Sequence, residues 1–359
     1  MKGIACRIRA FHRREFPTLP TFARWIQVTC LASLVALILP VRSPAQSVDP
    51  ALLATLLDRW QPERGEFAFG LIGDQQYNAE QEAKFPNLMR ALNRERLKFV
   101  VHDGDIKAGN TRCTDELFLD RLEAFQASRH PFLYTPGDNE WTDCHTPAAG
   151  GYDPEERLAM LRGLFFSDPN ESLGRRRLEV SSQFEDSRYS LYVENQLWTM
   201  GPVVFATVHI VGSNNNRGRT PQADREYAAR NEANLSWIRT AFALAREGGF
   251  DAMMLITQAN LRFEMLPAMR TGFNDTIAVL HDETIAFGKP VVLVHGDTHY
   301  FRMDKPLLGT LSQRRLENFT RLETFGTNDV HWVLGRVERG NPNVFVFEQR
   351  IVEENLVAH

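Results

Sequence analysis

The chain has 359 residues, of which 43% are hydrophobic and 24% are charged, and its formal net charge is -4. This is an ordinary globular composition, long enough for one large domain or two. Because there is no excess of basic residues, nothing indicates a nucleic acid or an anionic membrane surface as partner, and no nucleic-acid specificity is expected.

The N-terminal 45 residues differ from the rest. A basic stretch from Lys2 to Arg14 precedes the uncharged apolar run Trp25–Leu39, which Pro40 ends, and small residues follow at 43–45. This order is typical of a secretory signal peptide. The alternative is an uncleaved membrane anchor, which the short apolar run disfavours. Arg13 and Arg14 loosely resemble a twin-arginine signal, so the choice between the general and the twin-arginine export route stays open.

We therefore expect a signal peptide at 1–45 and an exported domain at 46–359 that is periplasmic or secreted and has no stable membrane span in its mature form. No internal repeat and no low-complexity linker divides the remainder. One domain fits better than two.

The first half of this domain predicts alternating strands and helices. Phe85, Leu88 and Leu92, for example, fall on one face of a helix at spacings of three and four. Such alternation indicates a sheet covered by helices. The predicted elements are a helix at Val48–Trp60, a strand at Phe67–Gly73, a helix at Glu80–Arg96, a strand at Lys98–His102, a helix at Thr114–Ser128 and a strand at Pro131–Tyr134.

The second half continues the pattern with a longer helix and ends in a pair of strands around a Gly-Asn-Pro turn. The predicted elements are a helix at Asp153–Phe166, strands at Tyr189–Val193 and Val203–Val211, a helix at Gln222–Glu247, a strand at Asp251–Thr257, a helix at Asp275–Ala286, a strand at Val291–His295, and strands at His331–Val337 and Asn343–Glu348.

Four of the apolar runs end in the dipeptide Gly-Asp, which places Asp74, Asp105, Asp138 and Asp297 at strand tips. A single Gly-Asp at a strand end is more often a plain turn. Its recurrence favours a functional site, because the carboxyl ends of buried strands in an α/β sheet meet at one edge. The polar loop Gly212–Gly218 allows both interpretations, a plain turn or a substrate-facing loop containing Asn214.

Carboxylates brought this close repel one another, and a divalent cation, or two that share Asp105, removes that penalty. Two cations about 3.5–4 Å apart can also clamp a phosphoryl group and activate a water molecule. His102, His209 and His295 lie within or directly after strands and are interpreted as packing residues of the core.

Two cysteines remain after removal of the signal, Cys113 and Cys144. Each follows a Gly-Asp tip, and an exported chain reaches an oxidising compartment. If the two tips are neighbours, a disulfide can join the loops; the alternative is a pair of free thiols.

The order and spacing of these motifs resemble the calcineurin-like metallophosphoesterase family. The family pattern runs Asp-x-His, Gly-Asp, Gly-Asn-His-Glu, a His after a strand, and Gly-His-x-His, and the resemblance spans about Phe67 to Phe347. It implies an α/β fold, a four-layer α/β/β/α sandwich, with a two-metal site. The positions that carry over as metal ligands are Asp74, Gln76, Asp105, Asp138, Gln258, Asp297 and His299.

This chain resembles a divergent member of the family, because several of its expected histidine ligands are replaced. Gln76 and Gln258 stand where the family has histidines, and Asp297 stands where the first His of Gly-His-x-His is expected. The positions that keep the usual residue types are Asp74, Asp105 and His299.

The motif Gly-Asp-Asn-Glu departs from the family pattern at two positions. Asp138 stands in place of the ligand Asn, and Asn139 stands in place of the His at the leaving group. Both are catalytic candidates by this resemblance. Tyr77, Asn214 and Tyr300 are the substrate-binding candidates; for Tyr77 and Tyr300, which follow the metal motifs, the alternative is a packing role, which is favoured.

Two hypotheses follow. In the first, the site hydrolyses a small-molecule or surface phosphomonoester or phosphodiester through a metal-bound water, with Mg, Mn or Ca more suited to its oxygen-rich ligands than Zn, and Fe possible. In the second, the fold is kept as a binding protein with impaired catalysis. All the replacements are polar, which favours a retained site but does not separate the two.

Overall fold

The computed structural model describes residues 47–309 and 314–356, so the predicted signal peptide lies outside the described residues. The described part of the chain forms two β-sheets. Its strands are β1 (Phe67–Ile72), β2 (Val100–His102), β3 (Phe132–Tyr134), β4 (Ser181–Ser182), β5 (Gln196–Met200), β6 (Val203–Thr207), β7 (Ala252–Ile256), β8 (Val291–His295), β9 (Arg302–Asp304), β10 (Phe319–Glu323), β11 (Trp332–Val337) and β12 (Phe345–Arg350).

The first sheet has the order β12-β11-β1-β2-β3 and the second the order β4-β5-β6-β7-β8-β10-β9. The centre of each sheet is parallel: β1, β2 and β3 in the first, and β6, β7, β8 and β10 in the second. Parallel neighbours require crossover connections, which the helices provide. The parallel strands of each sheet therefore deliver their carboxyl ends to one edge.

The helices begin at residues suited to that role. Asp49, Thr114 and Thr220 each accept a backbone N–H of the first turn that follows them. The principal helices of the described residues are Pro50–Arg59, Ala79–Arg94, Asp115–Gln126, Pro154–Phe165, Pro221–Glu247 and Asn274–Phe287.

Three apolar clusters separate the layers. Successive residues of a strand face opposite sides, so Val100 packs with the helices over the first sheet, while Val101 packs between the two sheets. In the second sheet Met254 faces the same central cluster, and Leu255 faces the helices on the far side. The architecture is the four-layer α/β/β/α sandwich expected from the sequence.

Some predicted elements were wrong. Residues Tyr189–Val193 form turns instead of a strand, since Tyr189 N–H and Tyr192 N–H each donate to the carbonyl three residues earlier. Both tyrosines pack on Ala233 of the long helix. The strand that pairs with β6 is β5, and β6 ends at Thr207, short of the predicted Val211.

Strand β10 escaped prediction because its inward residues are charged. Arg321 and Glu323 are both fully buried. The guanidinium of Arg321 bonds Asp304 of the neighbouring strand and Glu264. An apolar pattern does not reveal a strand whose interior positions hold paired charges.

Among the residues that the structure describes, no helix combines the length and apolar character needed to cross a membrane.

A disulfide joins Cys113 and Cys144, whose Cα atoms are 5.8 Å apart. The first cysteine lies in the loop after β2 and the second in the short 3-10 turn Thr142–His145 after β3. The predicted pairing is confirmed. It ties together two loops that extend from adjacent strand tips.

The disulfide closes a loop of 31 residues, for which chain entropy gives about 3–4 kcal/mol. We expect the double substitution Cys113→Ser, Cys144→Ser to lower the free energy of unfolding by that amount in denaturant titrations. Reduction of the unsubstituted protein should produce the same shift, and the double variant should then be insensitive to reductant. An unchanged denaturation midpoint in both experiments would contradict this expectation.

Candidate functional site

The tips of β1, β2 and β3 are joined by backbone hydrogen bonds beyond the ends of the strands. Asp74 N–H donates to Gly104 C=O at 3.0 Å, and Gln75 N–H donates to Asp105 C=O at 3.2 Å. Gly296 N–H, at the tip of β8, donates to Gln258 C=O at 3.0 Å. Main-chain hydrogen bonds thus join neighbouring tips within each sheet, and Asp297 N–H, which donates to Asp74 Oδ2, links the tips of the two sheets.

Three of the four glycines in the Gly-Asp motifs have a neighbouring carboxylate against them, and the fourth, Gly104, has the side chain of Gln258 against it at 2.7 Å. A Cβ added at Gly137 would lie 2.0 Å from Asp105 Oδ1, and one added at Gly296 would lie 2.1 Å from Asp74 Oδ2. No side chain fits at those separations. The same relation holds for Gly73 with Asp103 at 1.5 Å and for Gly212 with Asp138 at 2.7 Å.

Several residues at the tips adopt the left-handed backbone region that non-glycine residues avoid. Each costs on the order of 1–3 kcal/mol and persists only where the surroundings impose it, which is typical of functional sites. They are Asp74, Gln76, Asp105, Asp297 and His299, with φ of 50°, 65°, 58°, 78° and 59°.

Asp105 is the centre of the side-chain network. Its Oδ2 accepts from the Tyr77 hydroxyl at 2.8 Å, from Asn139 Nδ2 at 2.9 Å and from Gln258 Nε2 at 3.2 Å. Its Oδ1 accepts from the backbone N–H of Asn139 at 3.2 Å. This buried carboxylate thus meets four donors.

The Tyr77 hydroxyl lies inside the cluster of tips. It is 2.8 Å from Asp105 Oδ2 and 3.1 Å from Asp74 Oδ1, and it accepts from Asn139 Nδ2 at 2.9 Å. His299 Nε2 is 3.2 Å from the same hydroxyl and 3.5 Å from Asp74 Oδ1. Burial, followed by the charges of Asp105 and Asp74, raises the pKa of Tyr77.

Two further carboxylates at the tips, Asp297 and Asp138, accept hydrogen bonds from backbone and hydroxyl donors. Asp297 N–H donates to Asp74 Oδ2 at 3.0 Å, and Asp297 Oδ2 accepts from Asn260 N–H at 3.0 Å. Asp138 Oδ2 accepts from Ser213 Oγ at 2.7 Å. The polar loop predicted at Gly212–Gly218 therefore contacts the site through Ser213.

Three of the predicted site residues lie apart from this network. Gln76 is buried, and its Oε1 has no hydrogen-bond partner among the described residues. Asn214 bonds Arg217, Thr271 and Gly272, so it holds one rim loop to another. Tyr300 is 70% exposed at the surface.

Sequence reasoning missed the groups behind the tips. Glu140 Oε1 accepts from the backbone N–H groups of Asp105 and Gly137 and from the Tyr134 hydroxyl. Lys107 is fully buried and donates to Ala108 C=O. Lys107 follows Asp105 by two residues and Glu140 follows Asp138 by two residues. This closeness to the Gly-Asp motifs is the sequence signal that could have identified them.

The site carries an excess of buried acidic groups. Burial, followed by neighbouring carboxylates, raises the pKa of Asp105 and of Asp138. Burial and Asp74 raise the pKa of Asp297 to about 7. Burial lowers the pKa of Lys107 despite its acidic neighbours. Carboxyl groups that resist ionisation for these reasons are stabilised as anions by an added cation.

The donor set allows a test of whether a metal ion fits. Among the described residues, no three Asp, Glu, His or Cys side chains are grouped closely enough to hold one as they stand. The Tyr77 hydroxyl lies between Asp74, Asp105 and His299 and occupies the point at which these three side chains meet. Carboxylate and phenol oxygens with one imidazole suit a hard divalent cation. The ligand types therefore suit a cation, but with the Tyr77 hydroxyl between them these residues do not hold one as they stand.

A second buried network supports the tip of β3 from behind. Glu194 Oε1 accepts from His209 Nδ1 at 2.7 Å and from Arg162 at 2.6 Å. The ring of His209 lies 5.4 Å from that of Trp141, and the guanidinium of Arg230 lies 5.2 Å from the centre of the Trp141 ring. His209 is a core residue, as expected.

We expect Gly137→Ala to lower the free energy of unfolding by about 1–3 kcal/mol, because its Cβ would overlap Asp105. The matched control is Gly163→Ala in the helix Pro154–Phe165, where a Cβ meets nothing within 4 Å. The control should gain about 0.5–1 kcal/mol from helix propensity. Denaturant unfolding measures both, and equal effects of the two substitutions would refute the proposed crowding.

His209 should make stability depend on pH. Burial, with Arg230 and Arg162, lowers its pKa to about 4 against the pull of Glu194, whereas the unfolded value is about 6.5. The unfolded state therefore takes up a proton first as pH falls, and about 2 kcal/mol of stability is lost between pH 7 and pH 5. His209→Gln should remove this part of the slope, and His145→Gln at an exposed position should keep it. Parallel slopes for all three proteins would disprove the assignment.

No known family model and no curated protein sequence matches the chain. Solved structures are similar to it. A structure of PhoD is 13% identical, with 81% of this chain and 70% of that chain covered and a TM-score of 0.51. GAP50, the anchor in the inner membrane complex of Plasmodium, is 9% identical, with 82% and 87% covered and a TM-score of 0.47.

A purple acid phosphatase from yellow lupin seeds is 11% identical, with 83% of this chain but 54% of that chain covered, and a TM-score of 0.46. At such identities the similarity concerns the fold. Together with the two sheets and their helices, the match to PhoD shows that the chain has the calcineurin-like metallophosphoesterase fold implied by its motif order.

Proposed function

We propose that the protein is an exported, cation-dependent hydrolase of phosphomonoesters or phosphodiesters, acting on a small molecule or on a phosphoester displayed at a surface. The observation that carries this proposal is the convergence of buried carboxylates on Asp105 at the carboxyl edge of the sheets. Export rests on the pattern of the first 45 residues alone.

Asp74, Asp105 and His299 are the residues that would hold the cation, in place of the Tyr77 hydroxyl that lies between them. When bound, a divalent cation supplies charge stabilisation to phosphoryl oxygens and lowers the pKa of a water molecule. Mg, Mn and Ca suit these ligands better than Zn, and Fe is the further candidate. The backbones of Asp74, Asp105 and His299 are held in the left-handed region, which positions these ligands before the substrate arrives.

Asn139 takes the place of a histidine that would exchange a proton with the leaving group. Its amide donates to Asp105 and to Lys107 C=O, and an amide does not act as a general acid near neutral pH. Loss of one general acid costs on the order of 10²–10⁴-fold in rate. The substrates hydrolysed best should therefore be esters whose leaving group needs no proton.

The alternative function is a binding protein in which hydrolysis is impaired. It is favoured by one observation, the four donors that already surround Asp105. A carboxylate satisfied in this way has less need of a cation. The hydrolase is expected to show turnover that depends on a bound cation, whereas the binding protein is not.

The test uses the exported protein purified without chelators and assayed with para-nitrophenyl phosphate and bis(para-nitrophenyl) phosphate in Mg²⁺, Mn²⁺ or Ca²⁺. We expect turnover that a chelator abolishes. Asp105→Asn should lower the turnover rate on the order of 10²-fold or more, which is the usual cost of removing one charge-stabilising group from an enzyme. Asp251→Asn, an exposed carboxylate at the opposite ends of the strands, is the control and should retain activity.

If no ion supports turnover and none raises the melting temperature, the hydrolase proposal fails and the binding function is retained. Equal turnover by Asp105→Asn and by the unsubstituted protein would also reject the hydrolase proposal, because the activity would then not come from this site.

A further inference from the structure

The loop after β7 exposes a run of apolar side chains. All five residues of the segment 265–269, here named the apolar tip, are exposed. The exposed fractions of Met265, Leu266 and Met269 are 41%, 71% and 62%, and a proline and an alanine lie between the last two. Single exposed apolar residues are ordinary on a protein surface, whereas a contiguous group marks a contact surface.

Both ends of this loop are fastened to the candidate site. At its start, Asn260 N–H donates to Asp297 Oδ2 at 3.0 Å. At its end, Gly272 N–H donates to Asn214 Oδ1 at 3.0 Å. Asn214 adjoins Ser213, whose hydroxyl bonds a carboxylate of the site. The apolar tip therefore lies at the same edge of the sheets as the converging carboxylates.

The base of the loop is braced against the second sheet. The ring of Phe263 lies 5.9 Å from that of Phe319, and Glu264 pairs with the buried Arg321. Arg270, beyond the tip, donates back to Phe263 C=O at 2.9 Å. The exposure of the apolar tip is thus a property of an ordered loop that holds these side chains outward.

Arg262, at the start of the loop, is held in the left-handed backbone region with φ of 56°. Its N–H donates to Asn260 Oδ1, and its C=O accepts from Met265 N–H, both at 2.9 Å. Burial and Asp74 raise the pKa of Asp297, and the charge of Arg262 opposes that rise, which places the guanidinium near this carboxylate. Among the described residues, no hydrogen bond or ion pair engages the guanidinium. Such strain in a non-glycine residue is typical of functional positions.

The loop thus presents two kinds of group side by side, an unpaired guanidinium next to the site and an apolar tip beyond it. A guanidinium binds phosphoryl oxygens through charge-assisted hydrogen bonds. A phospholipid surface offers phosphates and hydrocarbon in the same order, and apolar side chains on a peripheral protein enter such an interface. A second copy of the chain would cover the tip without supplying a phosphate. The overall composition did not indicate this surface, because a single loop carries the signal.

We propose that the apolar tip docks the protein on a phospholipid surface and that Arg262 contacts the phosphoryl group of a lipid headgroup at the edge of the site. The substrates of the site are then amphiphilic phosphodiesters presented in a membrane or micelle. This assignment of substrate rests on the proposed function, whereas the docking itself does not.

The first experiment measures flotation of the exported protein with phosphatidylcholine vesicles. We expect the unsubstituted protein to float, and the double substitution Leu266→Ser, Met269→Ser to weaken binding at least about tenfold, because two apolar side chains no longer leave water. The control is Ile285→Ser, 54% exposed near the end of the helix that leads into β8, and it should bind normally. An unsubstituted protein that does not float, or a double variant that floats equally well, would overturn the docking.

The second experiment separates the phosphate from the hydrocarbon. Vesicles of digalactosyl diacylglycerol present acyl chains without phosphate. Arg262→Gln should weaken binding to phosphatidylcholine about tenfold, as expected for loss of one charge-assisted hydrogen bond, and should leave binding to the galactolipid unchanged. Arg339→Gln, in the turn between β11 and β12 at the opposite edge, is the control and should bind both lipids normally. Equal effects of Arg262→Gln on the two lipids would overturn its assignment to the phosphate.

The third experiment compares turnover of a short-chain phosphatidylcholine below and above its critical micelle concentration. We expect the rate to rise above that concentration, and the rise to be lost in the double variant but kept in Ile285→Ser. A protein that hydrolyses bis(para-nitrophenyl) phosphate but shows no such rise would overturn the substrate assignment and leave the proposed function intact. Flotation without any turnover would reject the proposed function and support the docking. A dimer that the double variant abolishes, without flotation, would assign the tip to a second copy and overturn the docking.

Discussion

A single constraint organises this protein: buried carboxylates at the ends of parallel strands must each find partners without water. Asp105 illustrates it, since four donors converge on its two oxygens. An unpaired charge in that position would cost several kcal/mol. Each neighbouring tip therefore brings its backbone close enough to donate or to pack, and this closeness leaves room only for glycine at Gly137 and Gly296. The recurring Gly-Asp motif is the sequence record of that packing.

The layers behind the tips explain how such crowding is maintained. Left-handed backbone at Asp74 and Asp105 is unfavourable alone and needs rigid surroundings. One support is covalent, the disulfide that joins the loops after β2 and β3. Another is the buried pairing of Glu194 with Arg162 and His209, which packs under Trp141. The disulfide and the buried Glu194 network thus stabilise the strained strand tips in one arrangement.

Sequence reasoning located the strand tips because apolar runs and Gly-Asp are local signals, and the meeting of tips follows from parallel topology. It could not recover what depends on distant partners. The sequence does not reveal whether the amide oxygen or the amide nitrogen of Gln258 faces Asp105. The backbone N–H of Gly212, from another loop, bonds the oxygen and so turns the nitrogen toward Asp105. Strand β10 was hidden for a related reason, since the buried Arg321 depends on pairing with Asp304 of the adjacent strand and with Glu264.

The replacement of histidines by amides changes more than ligand count. A histidine can bind a cation through a lone pair or carry a proton, whereas the amides of Asn139 and Gln258 offer fixed N–H groups to Asp105 and exchange no proton near neutral pH. Their donation lowers the negative charge that Asp105 presents to any cation. A hub neutralised by amides should attract a cation less strongly than a carboxylate without those donors, and Asp138 at the same edge is itself engaged by Ser213.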